Sequence, residues 1–138
     1  MTKLTAGKNK VELLSVGSRI AADLYCPDDF DIDKVYPTIV VGGPLATVKE
    51  QAAGFFSGKL AKLGFLALAF DYRTFGESEG QPPCYENPAN KTEDVHAAVS
   101  YLSSLENVDS SRIVALGVCA SASYIGGALI GDKRIKAF

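Results

Sequence analysis

Three short apolar runs constrain the fold of this chain more than any other feature. They cover residues 38–43 (TIVVGG), 65–72 (FLALAFDY) and 112–118 (RIVALGV). Continuous apolar runs of this length are typical of strands that are covered on both faces, whereas strands with one solvated face alternate between apolar and polar residues. The three runs therefore predict the buried strands of a sheet that lies between two layers of helices.

Helical periodicity follows each of these runs. We expect helices over residues 49–64, 90–105 and 120–131, with Thr92 or Asn90 as the cap of the second. The apolar positions of the first two recur at helical spacing: Ala52, Ala53, Phe56, Leu60 and Leu63, then Val95, Ala98, Val99, Leu102 and Leu105. Strands that alternate with helices predict an α/β fold, with a mostly parallel sheet and helices on both faces.

Shorter segments complete the predicted order of elements. Residues 10–15 and 19–27 predict two strands before the central ones, and residues 134–138 predict the start of a last strand. The order is then β-β-β-α-β-α-β-α-β without an internal repeat or a linker, so residues 1–138 are expected to belong to a single domain. A strand that begins at Arg134 would be followed by more sheet, because an open parallel edge is unfavourable.

Charge and cysteine content disfavour several functional classes. The net charge is −2 over 138 residues and no basic cluster is present, which argues against nucleic acid or an anionic membrane as a partner. The N-terminus is polar and no apolar run approaches the ~20 residues that span a bilayer, so a cytoplasmic location is expected. Three widely spaced cysteines and one histidine predict neither a disulfide framework nor a zinc site, and we expect no metal and no other cofactor.

A cysteine lies at the predicted turn within the segment IVALGVCASASY. Cys119 has Gly117 two positions before it and Ser121 two positions after it, and small residues there let a strand and a helix approach at a tight turn. The N-terminus of the following helix would favour the thiolate. The N–H of Ala120 would point at the oxyanion that forms when a carbonyl is attacked. The alternative is a cysteine that serves only as a small apolar residue.

The segment around this cysteine resembles a known family. GVCASASY is similar to the nucleophile elbow of α/β-hydrolases, specifically of the dienelactone-hydrolase-like branch that uses a cysteine. The similarity extends over YPTIVVGGPLATVKEQ, GFLALAFDYRTFGESEGQPP and NKTEDVHAAVSYLSSLENVDSSRIVALG, and so covers nearly the whole chain. It implies an α/β-hydrolase-like fold and hydrolysis of an ester, a thioester or a lactone.

The resemblance also implies roles for single residues. Cys119 would be the nucleophile, and the backbone N–H groups of Ala120 and Leu45 would hold the oxyanion. Related hydrolases often carry His-Gly or His-Pro in the loop that contains Leu45, where this chain has GGPLAT. Residues 71–73 would form a structural loop that supports the elbow, with a pair between Asp71 and Arg73 as the simplest interpretation.

A general base for Cys119 is not evident. In α/β-hydrolases the order along the chain is nucleophile, acid and then histidine, but the residues after Cys119 contain Asp132 and no histidine. His96 precedes the turn and is expected on the flank of its helix, and Asp132 is expected far from Cys119. The resemblance places the acid and the histidine beyond Phe138. The chain thus resembles only the N-terminal half of such a domain, truncated after the helix that follows the elbow, and a C-terminal half or a second chain would complete the sheet.

Three hypotheses for the function remain open. The first is hydrolysis of a small-molecule acyl substrate, with an ester, thioester or lactone bond as the target. The second is transfer of the acyl group to an acceptor other than water, since the same turn serves both reactions. The third is a non-catalytic fragment or binding module, which the absence of a downstream histidine favours for the chain as given.

Overall fold

The computed structural model describes residues 3–138. Five strands and three helices follow one another along them: β1 (Gly7–Ser15), β2 (Ser18–Cys26), β3 (Tyr36–Gly42), α1 (Ala52–Ala61), β4 (Leu66–Phe70), α2 (Pro88–Ser103), β5 (Val108–Gly117) and α3 (Ser121–Gly131). The longest helix, α2, has 16 residues. None of the helices in this part of the chain combines the length and the apolarity needed to cross a membrane.

The three apolar runs form adjacent strands, as predicted. The sheet has the order β1-β2-β4-β3-β5, and β3 pairs in parallel with both β4 and β5. The carboxyl ends of these strands therefore lie at one edge of the sheet. The segment after β5 lies there beside the segment after β3, and the N–H of Val118 donates to the carbonyl oxygen of Gly42 at 3.0 Å.

The prediction of a mostly parallel sheet is wrong, because the sheet is mixed. β1 pairs with β2 and β2 pairs with β4, both antiparallel. The physical reason lies in the connection between β1 and β2. Only Val16 and Gly17 separate the paired ends of these strands, and both have positive φ, of 47° and 79°. A two-residue turn of this kind reverses the chain at once, whereas parallel pairing needs a long crossover.

Helices cover both faces of the sheet, as predicted. Alternate residues of a strand point to opposite faces, so Ile39 and Val41 lie on one side and Val40 on the other. The first side packs against Ala53 of α1. The second side packs against buried residues of α2 and α3: Val95, Ala98, Val99, Leu102, Tyr124, Ile125 and Ala128.

The predicted buried side of α1 is partly wrong. Phe56 and Leu63 are exposed, whereas Ala53 is buried as expected, and the other buried positions of α1 are Gly54, Ser57 and Ala61. All four are small, so the helix axis can lie close to the sheet. Periodicity located the helix, but side-chain size decided which of its sides faces the sheet.

The predicted cap of α2 is also wrong. The helix begins at Pro88, and Asn87 is its N-cap rather than Thr92 or Asn90. Its side-chain oxygen accepts from the N–H of Ala89 at 2.9 Å and from that of Asn90 at 3.2 Å. Proline fits the first helical position because its missing N–H would have no partner there in any case.

Residues 134–138 lie beside β5 but do not form the predicted strand. Ile135 makes one isolated parallel bridge with Ile113. The N–H of Lys136 donates to the Ile113 carbonyl oxygen at 2.8 Å, and the N–H of Ala115 donates to that of Ala137 at 3.0 Å. The segment therefore pairs with β5 over residues 113–115 only and does not form a ladder.

A buried ion pair joins the segment before α1 to the end of β4. Lys49 and Asp71 have side chains that are 1% and 0% exposed, and the Lys49 Nζ lies 2.9 Å from the Asp71 Oδ2. The backbone N–H of Lys49 also donates to the Asp71 Oδ1 at 2.7 Å. Burial would lower the pKa of Lys49, but its hydrogen bonds to Glu50, Glu77 and Asp71 raise it above its ordinary value. Lys49 therefore stays charged, and the pair fixes two loops of the carboxyl edge to each other.

Replacing Lys49 tests how much this ion pair contributes to stability. Lys49→Met leaves the buried Asp71 carboxylate without its cation, which typically costs about 3 kcal/mol or more. We expect the free energy of unfolding, measured by urea denaturation, to fall by that amount. Lys133→Met is the matched control, because Lys133 is exposed. Equal stability of the two variants would contradict a structural role for the pair.

Candidate active site

The turn between β5 and α3 holds Cys119 in a strained conformation. β5 ends at Gly117 and α3 begins at Ser121, so the chain reverses direction within three residues. Cys119 has a φ of 58°, in the left-handed region, and its side chain is exposed. That conformation costs about 1 kcal/mol for a residue with a Cβ. Backbone strain of this kind is typical of turns that expose a functional side chain.

Small residues make the turn possible, as the spacing predicted. A Cβ at Gly117 would lie 2.6 Å from the backbone nitrogen and the Cα of Ala122, which is closer than real contacts allow. A Cβ at Gly42 would lie 2.7 Å from the Cβ of Ser121. The ends of β3 and β5 are thus in direct contact with the first turn of α3.

A buried hydrogen-bond network lies beneath the turn. Ser121 is fully buried, its hydroxyl donates to the carbonyl oxygen of Gly43, and its Oγ lies 2.8 Å from the hydroxyl oxygen of Tyr72. Burial raises the pKa of Tyr72, so this phenol stays protonated. The network connects the segments that follow β3, β4 and β5.

A second cluster surrounds the side chain of Lys91. The Nζ of this buried lysine lies 2.7 Å from the Glu86 Oε2 and 4.4 Å from the centre of the Phe75 ring. The rings of Tyr72 and Tyr124 lie at 4.7 and 5.2 Å. Burial and desolvation in such a cage strengthen the attraction between a cation and aromatic rings.

Tyr124 connects this cluster to the turn. Its hydroxyl donates to the Glu86 Oε1 at 2.7 Å. Burial, the Glu86 carboxylate and the nearby Cys119 raise the pKa of Tyr124 to about 12. Tyr124 therefore stays protonated at neutral pH and can keep its hydrogen bond to Glu86.

Sequence reasoning missed this cluster although a signal was present. Lys91 lies four residues before Val95 and so shares the apolar side of α2 with Val95, Ala98 and Leu102. A lysine on the apolar side of a helix predicts either a long stem that reaches solvent or a buried partner. Glu86, five residues earlier, was the available partner.

His96 and Asp132 lie together, away from the turn. The His96 Nδ1 is 3.3 Å from the Asp132 Oδ2, and Arg134 also binds this carboxylate. Hydrogen bonds from Arg134 lower the pKa of Asp132 below its usual range. Asp132 follows the 11-residue helix α3, whose length at 1.5 Å per residue is about 16 Å. Asp132 is therefore remote from Cys119, as predicted, and His96 is engaged with it there.

The expected pair between Asp71 and Arg73 is not formed. Asp71 binds Lys49, and Arg73 instead binds Asp94, with its Nε 3.1 Å from the Asp94 Oδ1, and Glu93. Both aspartates are buried, and each is bound to the cation that reaches it from another element. The segment after β4 does support the turn, but it does so through Tyr72.

The remaining site residues are distributed as follows. Leu45 lies in the loop between β3 and α1 and is half exposed. Among the backbone hydrogen bonds of residues 3–138, neither its N–H nor that of Ala120 has a protein acceptor. Cys26 is buried and Cys84 is exposed. No group of three or more His, Cys, Asp or Glu side chains within these residues is arranged to hold a metal ion.

No family model matches this chain, but several curated proteins are similar to it in sequence. The uncharacterized protein YcjY of Escherichia coli K12 is 46% identical over 118 residues, which cover 86% of this chain and 39% of that protein. The thiohydrolase aneE of Aspergillus aculeatus is 31% identical over 129 residues, which cover 93% of this chain and 39% of that protein. The chain thus spans about two fifths of the length of these relatives.

Solved structures show which fold this is. The hypothetical protein PA2218 from Pseudomonas aeruginosa matches with a TM-score of 0.89 and 40% identity, over 99% of this chain and 43% of that one. The α/β hydrolase GrgF from Penicillium sp. sh18 matches with a TM-score of 0.86 and 20% identity, over 94% of this chain and 44% of that one. The chain therefore has the fold of part of an α/β hydrolase.

The three thiols should differ in reactivity. We expect iodoacetamide at neutral pH to label Cys119 faster than Cys84, because a helix N-terminus stabilises a thiolate. Cys26 should react last, since burial raises its pKa to about 11. Cys84 is a matched control: it is exposed and has the same φ of 58°, but no helix begins directly after it. Time-resolved mass spectrometry of the labelled peptides measures the rates, and equal labelling of Cys84 and Cys119 would contradict an activated thiol.

The strain at Cys119 should be measurable. Glycine adopts a φ of 58° without a Cβ penalty, so Cys119→Gly is expected to unfold with a free energy about 1 kcal/mol higher than Cys119→Ala. Urea denaturation of the two variants gives the difference. Ala120→Gly serves as the control, because Ala120 has an ordinary φ of −58° and glycine should gain nothing there. A Cys119→Gly variant that is no more stable than Cys119→Ala would rule out the strain.

Proposed function

We propose that this chain forms the nucleophile-bearing part of a cysteine-dependent α/β hydrolase of the dienelactone-hydrolase-like branch. Its substrates would be small molecules with an ester, thioester or lactone bond. The observation that carries the proposal is the strained, exposed Cys119 at the carboxyl edge of the sheet, directly before α3. Cys84 is also exposed and has the same φ, so the feature that sets Cys119 apart is its position at the carboxyl edge of the sheet, two residues before α3 begins.

The chemistry of the turn suits acyl transfer. The Cys119 thiolate would attack the carbonyl carbon, and the carbonyl oxygen would take the negative charge of a tetrahedral intermediate. The N–H groups of Ala120 and Leu45, which have no protein acceptor among residues 3–138, would hold that charge. When the bond to the leaving oxygen or sulfur breaks, the acyl group stays on Cys119 as a thioester. The general base that took the proton of the thiol would return it to the leaving group, and water activated by the same base would then release the acid and the free thiol.

The general base of this cycle would come from outside residues 1–138. His96 is the only histidine of the chain and is engaged with Asp132 at the far end of α3. The chain spans about two fifths of the length of its curated relatives. We therefore place the catalytic histidine and its acid on a C-terminal half or on a second chain that completes the sheet.

The name of one relative favours one of the three acyl bonds as the bond that is cleaved. A relative at 31% identity is a thiohydrolase, which favours a thioester among the three acyl bonds. Transfer to an acceptor other than water remains the second candidate, since the acyl-enzyme is the same and only the attacking group in the last step differs.

A single-turnover assay tests the proposal. We expect p-nitrophenyl acetate to give a burst of at most one equivalent of p-nitrophenolate per chain, because no base is at hand to deacylate Cys119. Cys119→Ala should abolish the burst, and Cys84→Ala, which removes another exposed thiol, should retain it.

Two outcomes would contradict this proposal. A burst that survives Cys119→Ala would show that another group is acylated. Steady multiple turnover well above the rate of a free thiol would show that a base lies within the chain, and His96 would then be the first residue to replace.

A further inference from the structure

We infer that Ser121 and Tyr72 are positioning residues, which hold the loop between β3 and α1 so that its N–H groups face the acyl oxygen on Cys119. The inference rests on the proposed function and adds to it two side chains that do not touch the substrate. The hydroxyl of Ser121 is fully buried and binds the carbonyl oxygen of Gly43.

The direction of the two hydrogen bonds follows from the groups involved. A carbonyl oxygen can only accept, so the one hydroxyl proton of Ser121 must go to Gly43. The 2.8 Å contact between Tyr72 and Ser121 then requires Tyr72 to donate. The result is a directed chain from Tyr72 to Ser121 to Gly43, in which each hydroxyl orients the next group.

Packing holds this chain in one arrangement. Tyr72 is 3% exposed, and its ring packs edge-on against Phe70 and Tyr124 with ring centres 4.8 and 5.8 Å away. The Lys91 ammonium lies over the same ring. A Cβ at Gly42 would come within 2.8 Å of both the Ser121 Oγ and the Tyr72 hydroxyl. Both hydroxyl oxygens are therefore packed closely against the end of β3.

The network acts on the loop that carries Leu45. Gly43 is two residues before Leu45, and only Pro44 separates them, with its φ fixed by the ring. Fixing the Gly43 carbonyl therefore sets the direction in which the loop leaves β3. A tight turn requires only a small residue at position 121, and glycine would satisfy it. The hydrogen bond from the Ser121 hydroxyl to Gly43 is therefore not required to form the turn.

Two reactions of Cys119 separate positioning from stability. Acylation by p-nitrophenyl acetate builds up an oxyanion and depends on aligned N–H donors, whereas alkylation by iodoacetamide displaces iodide and forms no oxyanion. We expect Ser121→Ala and Tyr72→Phe to lower the ratio of the acylation rate to the alkylation rate by about tenfold to a hundredfold. Partial unfolding would change both rates of the exposed thiol together and leave no such selective loss.

Matched variants complete the experiment. Ser123→Ala makes the same change on the exposed side of α3, and Tyr101→Phe removes a phenol from α2. Both are expected to keep the ratio within twofold of that of the unaltered chain. The inference is overturned if Ser121→Ala and Tyr72→Phe also stay within that range while the burst still depends on Cys119. A burst that does not depend on Cys119 would instead overturn the proposed function, and this inference with it.

Discussion

The contact between Lys49 and Asp71 ties together the two loops on which the carboxyl edge of the sheet depends. Asp71 follows β4 and Lys49 precedes α1, so their pairing fixes the loop after β3 against the loop after β4. The backbone N–H of Lys49 binds the same carboxylate, which holds the main chain as well as the side chain. A buried pair of this kind adds little net stability over an apolar contact, but breaking it is costly. The pair joins the two loops through both a side chain and the main chain.

The candidate site is built mainly from backbone on top of this frame. Cys119 is the one side chain that the turn presents, and the expected oxyanion donors are the N–H groups of Ala120 and Leu45. Such donors are effective only if they are already aligned before the reaction, since reorganisation at that moment would consume the stabilisation that they provide. In the proposed function, the close approach of Gly117 to α3 and the buried network of Ser121 would hold these donors in place.

The charged side chains near the turn are bound by opposite charges and aromatic rings. Lys91 is held by Glu86 and three aromatic rings, and Arg73 is held by Asp94 and Glu93. His96, the one imidazole of this chain, lies beside Asp132 at the other end of α3. The proposed nucleophile therefore has no imidazole beside it among residues 3–138, and the proposed missing partner would have to approach the open side of Cys119.

Local sequence patterns determined the order of the elements through α3, the parallel pairing of β3, β4 and β5, and the position of Cys119 at the turn. Each depends on short-range rules: continuous apolar runs, helical spacing, and small residues on either side of a tight turn. Tertiary structure decided what those rules do not contain. The sheet is mixed, and the small-residue side of α1 faces it. Asp71 pairs with Lys49 and not with Arg73, and the Ser121 hydroxyl binds the carbonyl oxygen of Gly43. The physical reason is that these choices depend on which groups meet across the sheet, and a buried charge or hydroxyl takes the partner that the packed strands bring within reach.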